Sequence, residues 1–197
     1  MRTRPHPRND LAASGRHGFT LVEVIVVVAL IAILMSMAVP SLASFQRNSE
    51  LRASASGFLA AVQSARAEAM KRGMDTYVVP VSDNNWATGW TVYADVDRSQ
   101  SLTGNDVVIM QTGAIASKTS VTGGLAVAAE FAGTSGKFIR FNGGGFPLAM
   151  DGSFRGGAIE FGVTGSTEKR RVVLNAVGRT RLCDPAKDTT ADCKQPS

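Results

Sequence analysis

Residues 16–40 read RHGFTLVEVIVVVALIAILMSMAVP, and they hold the feature that most constrains this chain. From Phe19 to Val39 it is apolar except for Thr20, Ser36 and one carboxylate, Glu23. At 1.5 Å per residue the run makes about 32 Å of helix, enough to cross the hydrocarbon layer of a bilayer. Arg2, Arg4, Arg8 and Arg16 precede it, so the positive-inside tendency puts the N-terminus in the cytoplasm and the rest of the chain outside. A charge within such a span costs a few kcal/mol unless it is paired. Glu23 therefore calls for a partner, or for escape toward the headgroups one helical turn away.

A secretory signal peptide would have a shorter apolar core followed by a small-residue cleavage site. Here the run is longer, and the small residue, Gly18, stands before it. A cut after Gly18 would leave the span attached to the mature protein.

The hexapeptide GFTLVE, the apolar run and Pro40 together resemble the class III signal of type IV pilins and type II secretion pseudopilins. The resemblance implies that a prepilin peptidase cleaves after Gly18 and methylates the new N-terminal residue, Phe19. It implies a single-pass inner-membrane protein with a periplasmic domain, later built into a filament with other pilins or pseudopilins. It also suggests a partner for Glu23, the N-terminal ammonium of a protomer in the growing filament. Opposite charges a few Å apart in low dielectric attract strongly, whereas a lone buried carboxylate is costly. Snorkelling of Glu23 to the interface is the alternative.

Beyond the span, Pro40 should bend the helix. Leu51, Ala55, Phe58, Leu59, Val62, Ala65 and Ala69 then recur at steps of three and four, opposite a face with Arg52, Ser56, Gln63 and Arg66. That is an amphipathic helix with one apolar stripe, and Gly73 is its natural stop. After Gly73 the period becomes two. TYVVPVS, GWTVYADV, DVVIMQT, KFIRFN, GAIEFGV and RRVVLNAV read as strands between Gly, Asn, Asp and Ser turns. GGLAVAAEFAG fits strand or short helix, and FNGGGFPLAMDGSF reads as a Gly-rich loop. The apolar stripe needs a sheet face to cover it, so the expected fold is α+β, a long helix packed on an antiparallel sheet domain. The expected organisation is a leader at 1–18, a transmembrane and assembly helix at 19–40, an amphipathic half at 41–73 and a β-rich domain at 74–197.

Charge and cysteines mark the C-terminal end. The formal net charge is +5, but the leader holds four of the 21 basic residues and only one acid. Between Glu168 and Leu182 stand Lys169, Arg170, Arg171, Arg179 and Arg181 against a single acid, a cationic strip on a nearly neutral body. In a strand, Arg179 and Arg181 project to one face, and two guanidinium forks suit the phosphates of a nucleic-acid backbone. A solvated face or a subunit contact is the plainer reading. Few aromatics lie near the strip in sequence, so stacking on single-stranded bases is not indicated. Cys183 and Cys193 behind a membrane segment suggest a disulfide in an oxidising compartment, with two free thiols or half a metal site as the alternatives.

ARAEAMKRG, GWTVYADVD, FNGGG and GRTRLC, in that order, resemble the GspH/FimT subgroup of minor pilins. The resemblance implies a minor subunit near the filament tip. It also implies DNA binding through a GRxR motif, here Gly178, Arg179, Thr180 and Arg181, for uptake in natural transformation. Lys169, Arg170 and Arg171 are possible added contacts. The alternative within the family is a minor pseudopilin of a type II protein secretion system.

No enzyme is expected: both histidines, His6 and His17, lie in the leader, and no nucleophile–base pair, metal motif or phosphate loop stands out. No cofactor or metal is expected either. Asp95, Asp97, Ser99 and Asp106 follow a faint calcium-loop spacing, but Gln100 replaces the turn glycine, which favours a solvated hairpin loop. GGG at 143–145 reads as a turn.

Overall fold

The computed structural model describes residues 18–82, 85–116, 119–122, 138–149, 151–154, 156–188, 190 and 193. The segment GGLAVAAEFAG lies outside them. The chain divides into two units, Met1–Leu42 and Ala43–Ser197, and the helix α1 (Leu21–Arg72) runs from one into the other.

In the first unit, Thr20 caps the helix. Its hydroxyl accepts a hydrogen bond from the Glu23 backbone N–H at 3.2 Å, and its carbonyl accepts one from Val24 N–H. A Thr before the first turn satisfies an amide that has no partner within the helix. From Leu21 to Met35 the large apolar side chains are exposed all round, and the helix is long and apolar enough to cross a membrane. A surface with no polar face suits lipid or a bundle of like helices, and water poorly. Helical backbone continues on both sides of Pro40.

The second unit is built on the rest of α1. Leu51, Ala55, Phe58, Ala61, Val62, Ala65 and Ala69 are buried and Leu59 is half-buried, so the stripe is as the spacing predicts, with Ala61 added. Gly73 ends the helix in the left-handed region (φ 65°), its N–H bonded to the Ala69 carbonyl. A left-handed glycine stops a helix because it carries no Cβ to clash.

Among the described residues nine strands follow: β1 (Thr76–Pro80), β2 (Trp90–Ala94), β3 (Val107–Gln111), β4 (Thr119–Thr122), β5 (Ile139–Phe141), β6 (Pro147–Leu148), β7 (Gly157–Val163), β8 (Lys169–Leu174) and β9 (Thr180–Cys183). They form two antiparallel sheets, ordered β3-β2-β1-β5-β6 and β4-β7-β8-β9. The six segments read as strands by alternation all contain one. Two differences stand out. The Gly-rich loop is a hairpin in part, since β6 pairs with β5 and Leu148 bridges to Phe154. The end of RRVVLNAV is a turn, because Leu174 closes β8. β4 was not legible: TSVT is short and lacks an alternating apolar set, and its pairing with β7 is what makes it a strand.

Phe58 joins the layers. Its ring meets Trp86 and Trp90 edge-on at centroid distances of 5.2 and 5.1 Å, and Phe161 of β7 at 5.7 Å. One helical side chain thus touches both sheets, while the alanines around it let backbone approach closely. Tyr77 and Tyr93 stack at 5.2 Å across β1 and β2, and burial raises the Tyr77 hydroxyl to about 12. Replacing a buried aromatic of this kind by Ala costs about 3–5 kcal/mol. Phe58→Ala should lower stability by that amount, as measured by chemical denaturation followed through Trp86 and Trp90 fluorescence.

Candidate functional site

Two turns of one design meet at the end of the second unit. Asn142–Gly145 joins β5 to β6, and Asn175–Gly178 joins β8 to β9. In the first, Asn142 N–H donates to the Phe146 carbonyl (3.0 Å) and Gly145 N–H to the Asn142 carbonyl (2.8 Å). The Asn142 side-chain oxygen accepts from Phe146 N–H at 3.0 Å, and Gly145 is left-handed at φ 76°. In the second, Asn175 N–H donates to the Arg179 carbonyl (3.0 Å) and Gly178 N–H to the Asn175 carbonyl (2.9 Å). The Asn175 side chain accepts from Arg179 N–H at 2.8 Å, and Gly178 has φ 84°. Each turn is a hairpin loop closed by a left-handed glycine and braced by its own asparagine.

Arg66 of α1 holds the two turns together. Its Nε donates to the Gly145 carbonyl at 2.9 Å, one terminal nitrogen to the Gly178 carbonyl at 2.8 Å and the other to the Val177 carbonyl at 3.3 Å. The planar guanidinium supplies diverging donors in a fixed geometry, which a lysine does not. The helix pattern placed Arg66 on a solvated face, but it is half-buried and spent on carbonyls. At Gly178 a Cβ would lie 2.6 Å from the Gly145 carbonyl and 2.9 Å from Arg66 Nε. Gly178 is needed for its backbone conformation and for this close approach.

Arg179 and Arg181 are placed differently. Arg179 is exposed, just ahead of β9, and its side chain has no ion pair or hydrogen bond among the described residues. Arg181 lies within β9 and reaches the tail, bonding Thr190 Oγ1 at 2.7 Å and Asp188 at 3.3 Å. The Thr190 hydroxyl and backbone N–H, and then Arg181, hold the Asp188 carboxyl below its usual range. The Cys183–Cys193 disulfide forms (Cα–Cα 6.2 Å) and closes the same tail segment. With a loop this short it contributes about 2–3 kcal/mol in the chain-entropy account. It also occupies both thiols, which removes them as metal ligands.

The rest of the cationic strip is paired with acids, with Arg170 buried, Arg171 half-buried and Lys169 exposed. Arg170 is buried and bonds Asp184 at 3.0 Å and Glu168 at 3.4 Å. Arg171 bonds Glu160, its cross-strand neighbour on β7, at 2.6 Å, and also the Cys193 carbonyl. Lys169 bonds the same Glu160 at 2.7 Å. Burial raises the Glu160 carboxyl, but the hydrogen bonds from Lys169 and Arg171 outweigh it and leave the group below its usual range. These three cations are paired with nearby acids, and Arg179 is the basic side chain of the strip with no partner among the described residues.

At the other end of the chain, Gly18 and Phe19 are exposed and precede the helix, and among the described residues no atom lies within 4 Å of a Cβ placed on Gly18. Glu23 sits exposed in the first turn. In the uncut chain Phe19 carries an amide nitrogen, so the ammonium that would face Glu23 arises only on cleavage. In the loop after β2, the carboxylate oxygens of Asp95, Asp97 and Asp106 lie within 4.8 Å of one another. They accept from the loop's own N–H groups: Asp95 from Ser99 and Gln100, Asp97 from Ser99, Asp106 from Val96 and Thr103.

This architecture matches known proteins. Residues 54–178, more than half of the chain, fit the family described as type II transport protein GspH. The chain belongs to the GspH family of minor pilins and pseudopilins. Residues 13–39 fit the prokaryotic N-terminal methylation motif. The type IV minor pilin FimU of Pseudomonas aeruginosa shares the fold at 17% identity and a TM-score of 0.56, over 76% of this chain and 98% of FimU. The minor pseudopilin EpsH of the Vibrio cholerae type 2 secretion system is also similar, at 18% identity and a TM-score of 0.49, over 70% of this chain and 99% of EpsH. Comparison with curated proteins gave no match. In this GspH-family chain the functional residue that periodicity missed is Arg66, since its bonds run to carbonyls 79 to 112 positions away.

The two C-terminal roles of glycine can be separated. Gly73 and Gly178 are both left-handed, but a Cβ on Gly73 meets nothing within 4 Å. Gly73→Ala should cost about 1–2 kcal/mol, the left-handed penalty alone. Gly178→Ala should cost clearly more, as read from paired denaturation curves, because it must also push apart the two turns.

Proposed function

We propose that this GspH-family protein is a minor type IV pilin that joins the tip of a pilus and binds DNA without sequence preference, for uptake in natural transformation. On this reading the prepilin peptidase cuts after Gly18 and methylates Phe19. The apolar helix then holds the protein in the inner membrane until the protomer is drawn into the filament. The exposed Gly18–Phe19 segment supports accessibility to a protease. The new ammonium would sit at the positive end of the helix dipole, where a carboxylate in the first turn is the favoured counter-charge. Glu23→Ala should leave processing and methylation intact, as read by mass spectrometry, and should remove the protein from sheared filaments. Normal incorporation of this variant would refute the pairing.

The DNA part rests on one observation. Arg179 is presented on a turn fixed by Asn175, Gly178 and Arg66, with its guanidinium uncommitted. With its backbone fixed, meeting a phosphate orders the Arg179 side chain and not the turn that carries it. Lys169, Arg170 and Arg171 are engaged elsewhere and enter the proposal only as background field, and Arg181 contributes if Asp188 releases it. The full chain in detergent micelles should bind labelled DNA at about 50 mM salt and lose most of that affinity by about 200 mM. Arg179→Ala should weaken binding alike for unrelated sequences and flatten the salt dependence by about one charge. Unchanged binding by this variant would count against the site.

The description of the matched family as a type II transport protein favours a second reading, a minor pseudopilin of a secretion system. The same helix and domain would then assemble into a periplasmic pseudopilus and contact other pseudopilins. Recovery of the protein from sheared pili or from a secretion complex separates the two.

A further inference from the structure

The fold brings the turn that precedes Phe146 against the turn that precedes Arg179, two segments that sequence order had kept apart. Phe146 follows Gly145 directly, and Arg179 follows Gly178, so each is one Cα step of about 3.8 Å from the glycine contact clamped by Arg66. Phe154 pairs with Leu148 across the hairpin and meets Phe146 edge to face, with ring centroids 5.4 Å apart and planes at 70°. Both rings face solvent, Phe146 40% and Phe154 59% exposed, and Val177 of the second turn is 59% exposed. The acid of this hairpin, Asp151, accepts from Ser153 N–H at 2.9 Å and Ser153 Oγ at 2.6 Å, so its oxygen is tied into its own turn.

We propose that the nucleic acid recognised at this turn is single-stranded, its bases stacking on Phe146 and Phe154 while Arg179 takes a phosphate. The inference rests on the DNA-binding reading above and names the form of the ligand. A duplex hides its base faces in the helical stack and offers a protein its phosphates and groove edges. A single strand exposes both the phosphate charge and the flat apolar faces, and sites for it combine cations with aromatic platforms. Here the Arg66 clamp sets the turns that carry the two kinds of group against each other, so binding has to order side chains and not backbone. An apolar contact with a neighbouring pilin would use the rings without needing the Arg179 guanidinium on the adjoining turn.

The test compares a labelled mixed-sequence single strand with its duplex, using the intact protein in detergent micelles and fluorescence anisotropy. Phe146→Ala/Phe154→Ala should lower single-strand affinity about tenfold or more and leave duplex affinity within about twofold. Losing the ring–ring contact should lower the unfolding temperature slightly and leave the circular dichroism spectrum at the assay temperature unchanged. In a separate Phe154→Trp variant the added indole emission should be quenched by the single strand and not by the duplex. If Arg179→Ala weakens both DNA forms while the double phenylalanine variant weakens neither, or both equally, stacking is overturned and the DNA reading survives. If the parent binds neither form, the DNA reading fails and takes this inference with it. If the double variant loses a co-assembling pilin with DNA binding unchanged, the rings are a protein contact and the inference is likewise overturned.

Discussion

The second unit depends on one packing arrangement, the stripe of small and aromatic residues on α1 set against two sheets at once. Ala55, Ala61, Ala65 and Ala69 are fully buried, and their small size brings the sheets close enough for Phe58 to reach Trp86, Trp90 and Phe161 together. Close packing of this kind transmits position faithfully, because interiors have little room to yield. Arg66 follows Ala65 directly, so the residue that clamps the two turns is located by the helix that forms the core. The placement of Arg179 and of Phe146 is inherited from that contact through three guanidinium–carbonyl hydrogen bonds.

Electrostatics acts on the same unit by subtraction. Five basic residues between Glu168 and Leu182 look like a cationic face in sequence. Strand alternation sends Arg170 to one side and Lys169 and Arg171 to the other, and each side finds an acid: Asp184 and Glu168 for the first, Glu160 for the second. Buried or half-buried charges persist when they are paired and hydrogen-bonded in this way. The pairing leaves Arg179 as the basic side chain of the strip with no acid partner among the described residues.

At the membrane end a short sequence serves two needs. Thr20 satisfies the Glu23 amide as a helix cap, and the Glu23 carboxylate stands in the first turn, where the dipole of the helix favours negative charge. Neither effect requires a second molecule. Exposure of apolar side chains around the whole helix from Leu21 to Met35 does require an apolar surrounding.

Much of this protein follows from local pattern. Runs of apolar residues with period near 3.6 and then 2 set the helix, its stop at Gly73 and six strand segments, because burying one face of an element needs only near neighbours in sequence. The helix long and apolar enough to cross a membrane, and its motif, are local as well. What local pattern could not supply was long-range pairing. TSVT became β4 only by meeting β7, Phe146 came to lie beside Arg179 only because two Asn-x-x-Gly turns touch, and Arg66 changed from a surface cation into a clamp only when carbonyls from distant hairpins came within reach. Side-chain periodicity determines which face of an element is covered; which atoms cover it, and which cations stay free, is decided by strand order and register in three dimensions.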